Sequence, residues 1–588
     1  MTANPGPTPP SRATGSPMRW LAGHVSAHRR AFLSTLVSNL AGQLGAFAAG
    51  VLGAWLVGRA IAGEAAPLDV AGAALGALVV VVTLATWWEM YVAHDLAYLV
   101  LARLRGVVYD AVARTAPARL LGRRSGDLSA AALSDVETLE WLFAHTLAQL
   151  ITAAVVLACG VAGAALLDPW LPAVSLPVSC LVLAVPLWLR RLSARHGDEL
   201  RAATAELTSD VVDTVQGLRE LTAFGALGRR RELLASRTRR LARAQAANAA
   251  RGGLEAAVTD LLPAVAAAAT LLMVAALLRA GSLEPAHGPV AMVLAAASLG
   301  PASQVALLLK EYGTLRAAAG RVHALATAPA NVAEPPAPVP VPRPAGGVVF
   351  EDVRFRYTPD GPEVLRGVSF EVRPGQTVAL VGPSGAGKST CVSLLLRYWD
   401  PDEGRILLGG VPLDAVADDE LRRLVTVVPQ DVHLFAGTIE DNVRLGVPGL
   451  DPVRLARAAA DAQLGERELP DGLRTAAGER GVALSGGQRA RVAVARALAV
   501  DAPVLVLDEA VANLDAENEA RLAAALDAAR EGRATLVVAH RPSTIRRADH
   551  IVVLEDGRVA EQGTFQELTS RPAGRLSRLL AHDPRPAA

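Results

Sequence analysis

Long uncharged runs alternate with arginine-bearing stretches over the first half of the chain, whereas short apolar runs separated by turn residues fill the second. Six apolar segments stand near residues 31–58, 70–98, 141–166, 170–189, 256–278 and 289–309. Each is long enough for the ~20 residues a helix needs to cross the hydrocarbon core. Ala71–Thr86 and Leu261–Leu278 hold no charge at all, which separates membrane spans from the buried helices of a large soluble protein. Beyond the sixth segment the prolines and alanines of Ala328–Gly347 predict an extended linker. Strand-like runs then follow at Val348–Phe355, Thr377–Val381, Leu424–Val428, Val504–Leu507 and Ala534–Ala539. Interleaved with helical segments, they predict a soluble α/β domain. Asp556-Gly557, between two apolar stretches, predicts a hairpin over Ile551–Glu561.

The arginines orient the spans. Arg12, Arg19, Arg29 and Arg30 precede the first, and Arg103, Arg105, Arg114, Arg119, Arg123 and Arg124 lie between the second and third. Arg190, Arg191 and Arg195 open the stretch between the fourth and fifth, whereas the three short loops carry only Arg59 and Arg279. Both termini are therefore expected in the cytosol of a cell (inner) membrane protein. The two arginine-rich connections are long and helix-like, so the membrane helices should continue well beyond the bilayer. The expected division is a disordered cytosolic tail over 1–29, a membrane domain over 30–327, the linker over 328–347 and a catalytic domain over 348–580.

Chemistry concentrates in Val378–Thr390, VALVGPSGAGKST. A four-residue apolar strand runs into Gly382–Ser389, which fits G-x-x-x-x-G-K-[ST]. Glycines at 382, 385 and 387 let successive N–H groups turn inward as an anion-binding nest. The following helix aims its positive end at the same place. Lys388 is placed to reach the β/γ-phosphates and Ser389 to hold Mg²⁺. Of the 58 basic residues, all but Lys310 and Lys388 are arginine. A lysine kept inside this loop is thus meaningful, because a narrow backbone cradle accepts a compact ammonium and not a planar guanidinium.

Other elements follow in a fixed order. Tyr357 precedes the loop, where an aromatic face can stack on a base. Gln430 follows one strand-like run and His540 another, and Asp508-Glu509 ends a third. Leu484–Gln488 reads LSGGQ ahead of a helix-like RARVAVARAL. A net charge of +1 gives no basic face for nucleic acid. Cys159, Cys180 and Cys391 lack disulfide or metal-ligand spacing.

With LSGGQ between the phosphate loop and Asp508-Glu509, behind six spans, the chain resembles the ATP-binding cassette (ABC) transporters, and specifically exporter-fold half-transporters. The resemblance implies an all-α six-helix transmembrane domain followed by an α/β P-loop ATPase domain with an antiparallel β subdomain and a helical subdomain. It implies ATP and Mg²⁺ as ligands, a second half-transporter (the same chain or another) as partner, and a small-molecule substrate moved across the bilayer, outward in the exporter pattern. On matching positions, Tyr357 stacks on adenine, and Gly382, Pro383, Ser384, Gly385, Ala386, Gly387, Lys388, Ser389 and Thr390 hold the phosphates. Gln430 senses the metal, Asp508 holds it with Ser389, Glu509 is the general base and His540 contacts the γ-phosphate. Ser485, Gly486, Gly487 and Gln488 act on ATP bound to the other cassette. Thr475–Gly481 matches a cross-domain contact loop with Ala476 where Glu is usual, and the D-loop Ala512–Asp515 has Ala512 where Ser is usual. Ser125–Asp135 and Ser209–Arg219 are the expected inner-loop coupling helices. Val215–Ala226 is similar to the corresponding segment of bacterial cysteine/glutathione exporters, which bears on ancestry more than on cargo. An importer of the same fold, or a nucleotide-gated channel or regulatory subunit, are the alternative readings; an intact Glu509 and LSGGQ count against the last. Within the spans, Glu89, His145, Gln149, Asp260 and Gln304 are the ionisable or polar candidates for the transport pathway.

Overall fold

The fold is that of a computed structural model, which describes residues 16–116, 131–143, 147–342, 346–465, 469, 471–508, 530, 532–571 and 574–581. Contacts divide the chain into two units, with the principal boundary between Ala328 and Pro329.

The first unit is helical: α1 (Pro17–Ser26), α2 (Arg29–Ile61), α3 (Leu68–Thr115), α4 (Val136–Trp141), α5 (Leu147–Leu167), α6 (Pro172–Gln216), α7 (Leu218–Ala223), α8 (Leu227–Ala280) and α9 (Gly288–Ala326). Six of these helices are long and apolar enough to cross a membrane. At 1.5 Å per residue, the 54 residues of α8 run to roughly 80 Å, against a hydrocarbon core of ~30 Å. The extension of the helices beyond the bilayer is thus built as the arginine-rich connections predict. Ion pairs staple its polar stem: Arg237 reaches Glu206 at 2.8 Å and Asp210 at 3.1 Å, joining α8 to α6. Nearer the apolar part, α5 meets α9 through small residues. A β-carbon on Gly160 would come within 2.9 Å of Ser298 Oγ and one on Gly163 within 2.9 Å of Leu294, the close approach typical of helices packed in lipid.

Two expectations need correction here. The disordered tail does not extend to residue 29. Helix α1 stands there, with Leu21 buried among Leu96, Val100 and Val322 and Trp20 edge-on to His323 at 5.3 Å. Two apolar side chains on one turn repay the ordering of so short a helix. Ser209–Gln216 is the end of α6, and the short helix at the hairpin tip is α7, shifted toward the C-terminus. Of Ser125–Asp135, residues 125–130 lie outside the described residues; Ala131–Asp135 forms a wide turn running into α4, where Asp135 receives both arms of Arg321 at 2.6 and 2.7 Å.

The second unit carries two sheets. β1 (Val348–Phe355), β2 (Leu365–Val372), β4 (Glu403–Leu408) and β5 (Val411–Pro412) form an antiparallel sheet in the order β2-β1-β4-β5. β3 (Thr377–Val381), β6 (Val425–Val428), β7 (Val504–Asp508), β8 (Ala534–Val538), β9 (His550–Glu555) and β10 (Arg558–Gly563) form the other, ordered β10-β9-β3-β8-β7-β6. Five of its strands are parallel, and β10 closes one edge antiparallel to β9. The period of two sorts its side chains between two cores. Ala379, Val381, Leu505 and Leu507 face the helical side, and Val378, Leu380, Val504 and Val506 face the antiparallel sheet. Burial on both faces is why these strands read as unbroken apolar runs. The β9–β10 turn is the expected one, with Asp556 at φ 47° and Gly557 at φ 76°.

The proline-rich linker does not lie free of the domain that follows it. It lies as a strap on the second unit. Arg397 donates to the Ala333 carbonyl at 2.9 Å, Val339 N–H to Ala415 at 2.8 Å, and Val341 is buried in the core. Proline composition sets an extended backbone but says nothing of where its carbonyls find donors.

Candidate nucleotide site

Parallel strands converge on one edge of the larger sheet. β3 ends in the phosphate loop, β8 leads two residues on to His540, β7 ends at Asp508, and β6 leads to Gln430. These are four adjacent strands, and ligands of open α/β sheets bind outside such carboxyl ends.

The loop folds as its glycines require. Gly382 has φ 154° and Gly387 φ 105°; a β-carbon on the first would run into the Leu554 carbonyl and on the second into Leu365 at 2.5 Å. Gly385, at φ 82°, faces open space. Helix α10 (Lys388–Leu395) begins directly after it. Lys388 is buried, its Nζ donating to the carbonyls of Gly382 at 2.8 Å and Pro383 at 3.0 Å. The ammonium is thereby held over the loop by neutral acceptors. On the back of α10, burial pushes the Cys391 thiol up to about 12.

A cavity of about 690 Å³ opens in front of the loop, lined by Tyr357, Gly385, Lys388, Ser389, Gln430 and His540 among others. That is within the ~300–1,000 Å³ of sites that enclose small ligands. The Tyr357 hydroxyl lies 3.0 Å from Thr390 Oγ1, and Trp399 stands edge-on to its ring at 5.2 Å. Tyr357 remains 45% exposed and lines the cavity. Positive donors, a compact ammonium and an aromatic face fit a nucleoside triphosphate, and Ser389 and Gln430, which both line the cavity, carry oxygen ligands suited to Mg²⁺. Glu509 and the D-loop Ala512–Asp515 lie outside the described residues. Trp399 and Val364 were not signalled by the sequence; an aromatic four residues beyond the end of α10 carries no motif.

The second motif sits elsewhere. Ser485 caps α11 (Gly486–Val500), accepting from Gln488 N–H at 3.2 Å while Gln488 Oε1 accepts from Ser485 N–H at 2.8 Å. This reciprocal box leaves the Ser485 hydroxyl proton and the first N–H groups of the helix for an outside acceptor. A β-carbon on Gly486 would meet nothing within 4 Å. None of Ser485, Gly486, Gly487 and Gln488 lines the phosphate-loop cavity. In the contact loop, Ala476 pairs with Thr438 and Ala477 N–H donates to Gly437 at 2.9 Å.

Of the polar span residues, Glu89 accepts from Asn39 at 2.8 Å, Asp260 is exposed, Gln149 is half-buried, and Gln304 lines a second cavity. His145 lies outside the described residues.

Residues 31–301 match the family described as ABC transporter transmembrane region, and residues 365–512 the family described as ABC transporter. Over 393 residues the chain is 40% identical to an ATP-dependent lipid A-core flippase of Cupriavidus metallidurans, a match covering 65% of this chain and 64% of that protein. Over 238 residues it is 49% identical to a β-(1→2)glucan export ATP-binding/permease protein of Rhizobium etli, covering 40% of each. These matches therefore span less than two thirds of either relative. A solved bacterial Atm1-family ABC exporter with ATP bound superposes with a TM-score of 0.83 over 97% of this chain and 99% of that one, at 26% identity.

Proposed function

The chain belongs to the ABC transporter family as a half-transporter, its membrane domain fused ahead of its cassette, and from this we propose that two copies form an ATP-driven exporter of a small molecule. The observation that carries the reading is the separation of the two motifs. Lys388, Ser389, Gln430 and His540 share one cavity, whereas the capped end of α11 does not reach it. Each ATP is then enclosed by the phosphate loop of one copy and by Ser485, Gly486, Gly487 and Gln488 of the other. Both halves of the site are present on this chain, which supports a homodimer.

Adenine stacks on Tyr357, and the loop N–H groups with Lys388 hold the β- and γ-phosphates. Ser389, Gln430 and Asp508 would hold Mg²⁺, which would supply charge neutralisation at the phosphate oxygens. Glu509 takes the proton of the attacking water, and His540 contacts the γ-phosphate. Lys388 stabilises charge that grows as the terminal phosphoryl group departs. Closure and reopening of the cassettes drive the long α6–α8 hairpin, whose tip helix α7 is exposed along its length.

The arginine distribution supports cytosolic termini and a cytosolic cassette. Export, named for the glucan relative and for the solved Atm1-family structure, supports outward movement. Glu509→Gln in the purified protein tests the site: ATP turnover should fall by at least two orders of magnitude, on the scale of removing a general base. Unchanged turnover would remove Glu509 from the role. In inverted vesicles, ATP-dependent accumulation marks export and depletion of a preloaded lumen marks import.

A further inference from the structure

Between α2, α5 and α9 lies a cavity of about 210 Å³, lined by Gln43, Phe47, Thr152, Pro301 and Gln304 among others. All of these helices are membrane spans. No ionisable side chain is among the described lining residues. Two carboxamides and a hydroxyl, each both donor and acceptor, are set among alanines, glycine and one aromatic ring.

Thr152 carries the argument further. It is 1% exposed, and its Oγ1 has no hydrogen-bond partner among the described residues. A helical threonine ordinarily returns its hydroxyl to the carbonyl four residues back, as Thr35, Thr83 and Thr259 do here. Thr152 does not, and a buried hydroxyl left unpaired is costly. Gln43 and Gln304, both exposed, also carry polar heads within apolar helices, where such residues mark a substrate pathway by default.

We propose that this cavity binds an electrically neutral, hydroxyl-rich headgroup of the transported cargo, a sugar ring above all; the proposal rests on the transporter reading given above. Hydroxyls both donate and accept, as these three side chains do, and the Phe47 ring offers a flat apolar surface to the carbon face of a pyranose. A phosphoanionic headgroup would enter without a counter-charge, at a high desolvation cost. The volume lies below the ~300–1,000 Å³ of sites enclosing whole drug-sized ligands, so the site takes one ring and not an entire amphiphile. Thr152 near the start of α5 and Gln304 near the far end of its apolar segment put the cavity in the cytosolic half of the spans, given cytosolic termini. That is the side from which an exporter loads.

The test uses the full-length protein in phosphatidylcholine nanodiscs, with retention of radiolabelled diglucosyl diacylglycerol as the readout. Binding should saturate, and an equal concentration of phosphatidylglycerol should not displace it. Gln43→Leu, Gln304→Leu and the near-isosteric Thr152→Val should each raise Kd by about tenfold, the scale of one lost buried hydrogen bond to a ligand. Thr83→Val, a hydroxyl removed outside the cavity, should bind as wild type. Unchanged thermal midpoints establish that the variants are folded. Competition with sophorose separates the sources: displacement supports a soluble glycan, and displacement only by unlabelled glycolipid supports a lipid-linked one. No saturable binding, equal displacement by phosphatidylglycerol, or wild-type Kd in all three cavity variants would overturn the proposal. Retention needs no hydrolysis, so a chain that failed to turn over ATP would contradict the transporter reading and leave this readout intact.

Discussion

The hydroxyls of Tyr357 and Thr390 stand 3.0 Å apart, tying the loop after β1 to the first turn of α10. The residue proposed to stack on the base is therefore fixed to the helix that receives the phosphates. Trp399 and Phe355, edge-on at 5.2 and 5.0 Å, hold the rest of the ring. Base–aromatic stacking contributes ~1–3 kcal/mol, so Tyr357→Ala should raise KM for ATP by about tenfold with a smaller change in kcat. Tyr357→Phe keeps the ring and the aromatic supports, and should cost about twofold to threefold, the scale of one partly exposed hydrogen bond. Steady-state turnover against ATP concentration checks both.

Cys391 gives a chemical reading of the same helix. It is fully buried and its thiol is pushed up to about 12, so thiolate is scarce at neutral pH and the sulfur is shielded from reagents. Raising the pH from 7 to 9 should not bring maleimide labelling of Cys391 in the folded protein, while denaturant should bring it to completion. Peptide mass spectrometry distinguishes it from Cys159 and Cys180, which are exposed in the chain. Native labelling at the rate of an open thiol would contradict the packing behind the phosphate loop.

One of the strap's anchors is a single buried side chain. Arg397 donates to the carbonyls of Ala333, Asp414 and Val416 and to the carboxylate of Asp400 at 2.9–3.3 Å. Arg397→Met keeps the stem and strips those donors, leaving buried acceptors unpaired at ~1–3 kcal/mol each before relaxation. A loss of about 2–4 kcal/mol is expected in denaturant unfolding of the second unit. Residues 329–342 should become susceptible to proteases at the same time.

How far these features were legible depends on whether their cause is local. The six spans, the phosphate loop and the β9–β10 turn are set by runs, glycines and arginines within a few residues of one another, and each stands where the pattern places it. The strap's partner Arg397 lies more than fifty residues along the chain from Ala333, and no pattern in the prolines points to it. Helix α1 is settled by Trp20 meeting His323 across the length of the first unit. Gln304 stands out in an apolar run, whereas Thr152 does not, because a threonine in such a run normally satisfies itself within its own helix.

Phe224, at the end of α7, is 86% exposed, and Val215 and Leu218 beside it are open too. An apolar tip on a long polar stem calls for a cover. Phe224→Asp should leave ATP turnover within about twofold while abolishing ATP-dependent transport into inverted vesicles, since the nucleotide contacts are untouched and surface changes outside such contacts are small. Loss of turnover and transport in equal measure would count against a coupling role for the tip.

The central claim is that each ATP site is shared between two chains, and mixing two inactive variants tests it most directly. Lys388→Ala removes the phosphate-binding ammonium, and Ser485→Arg blocks the capped end of α11; homodimers of either should be silent in ATP turnover. When the two are co-assembled, mixed dimers carry both lesions in one site and leave the other intact. The account predicts that ATP turnover reappears on mixing and follows the fraction of mixed dimers. Mixtures as inactive as their parents, or full turnover by Ser485→Arg alone, would contradict it.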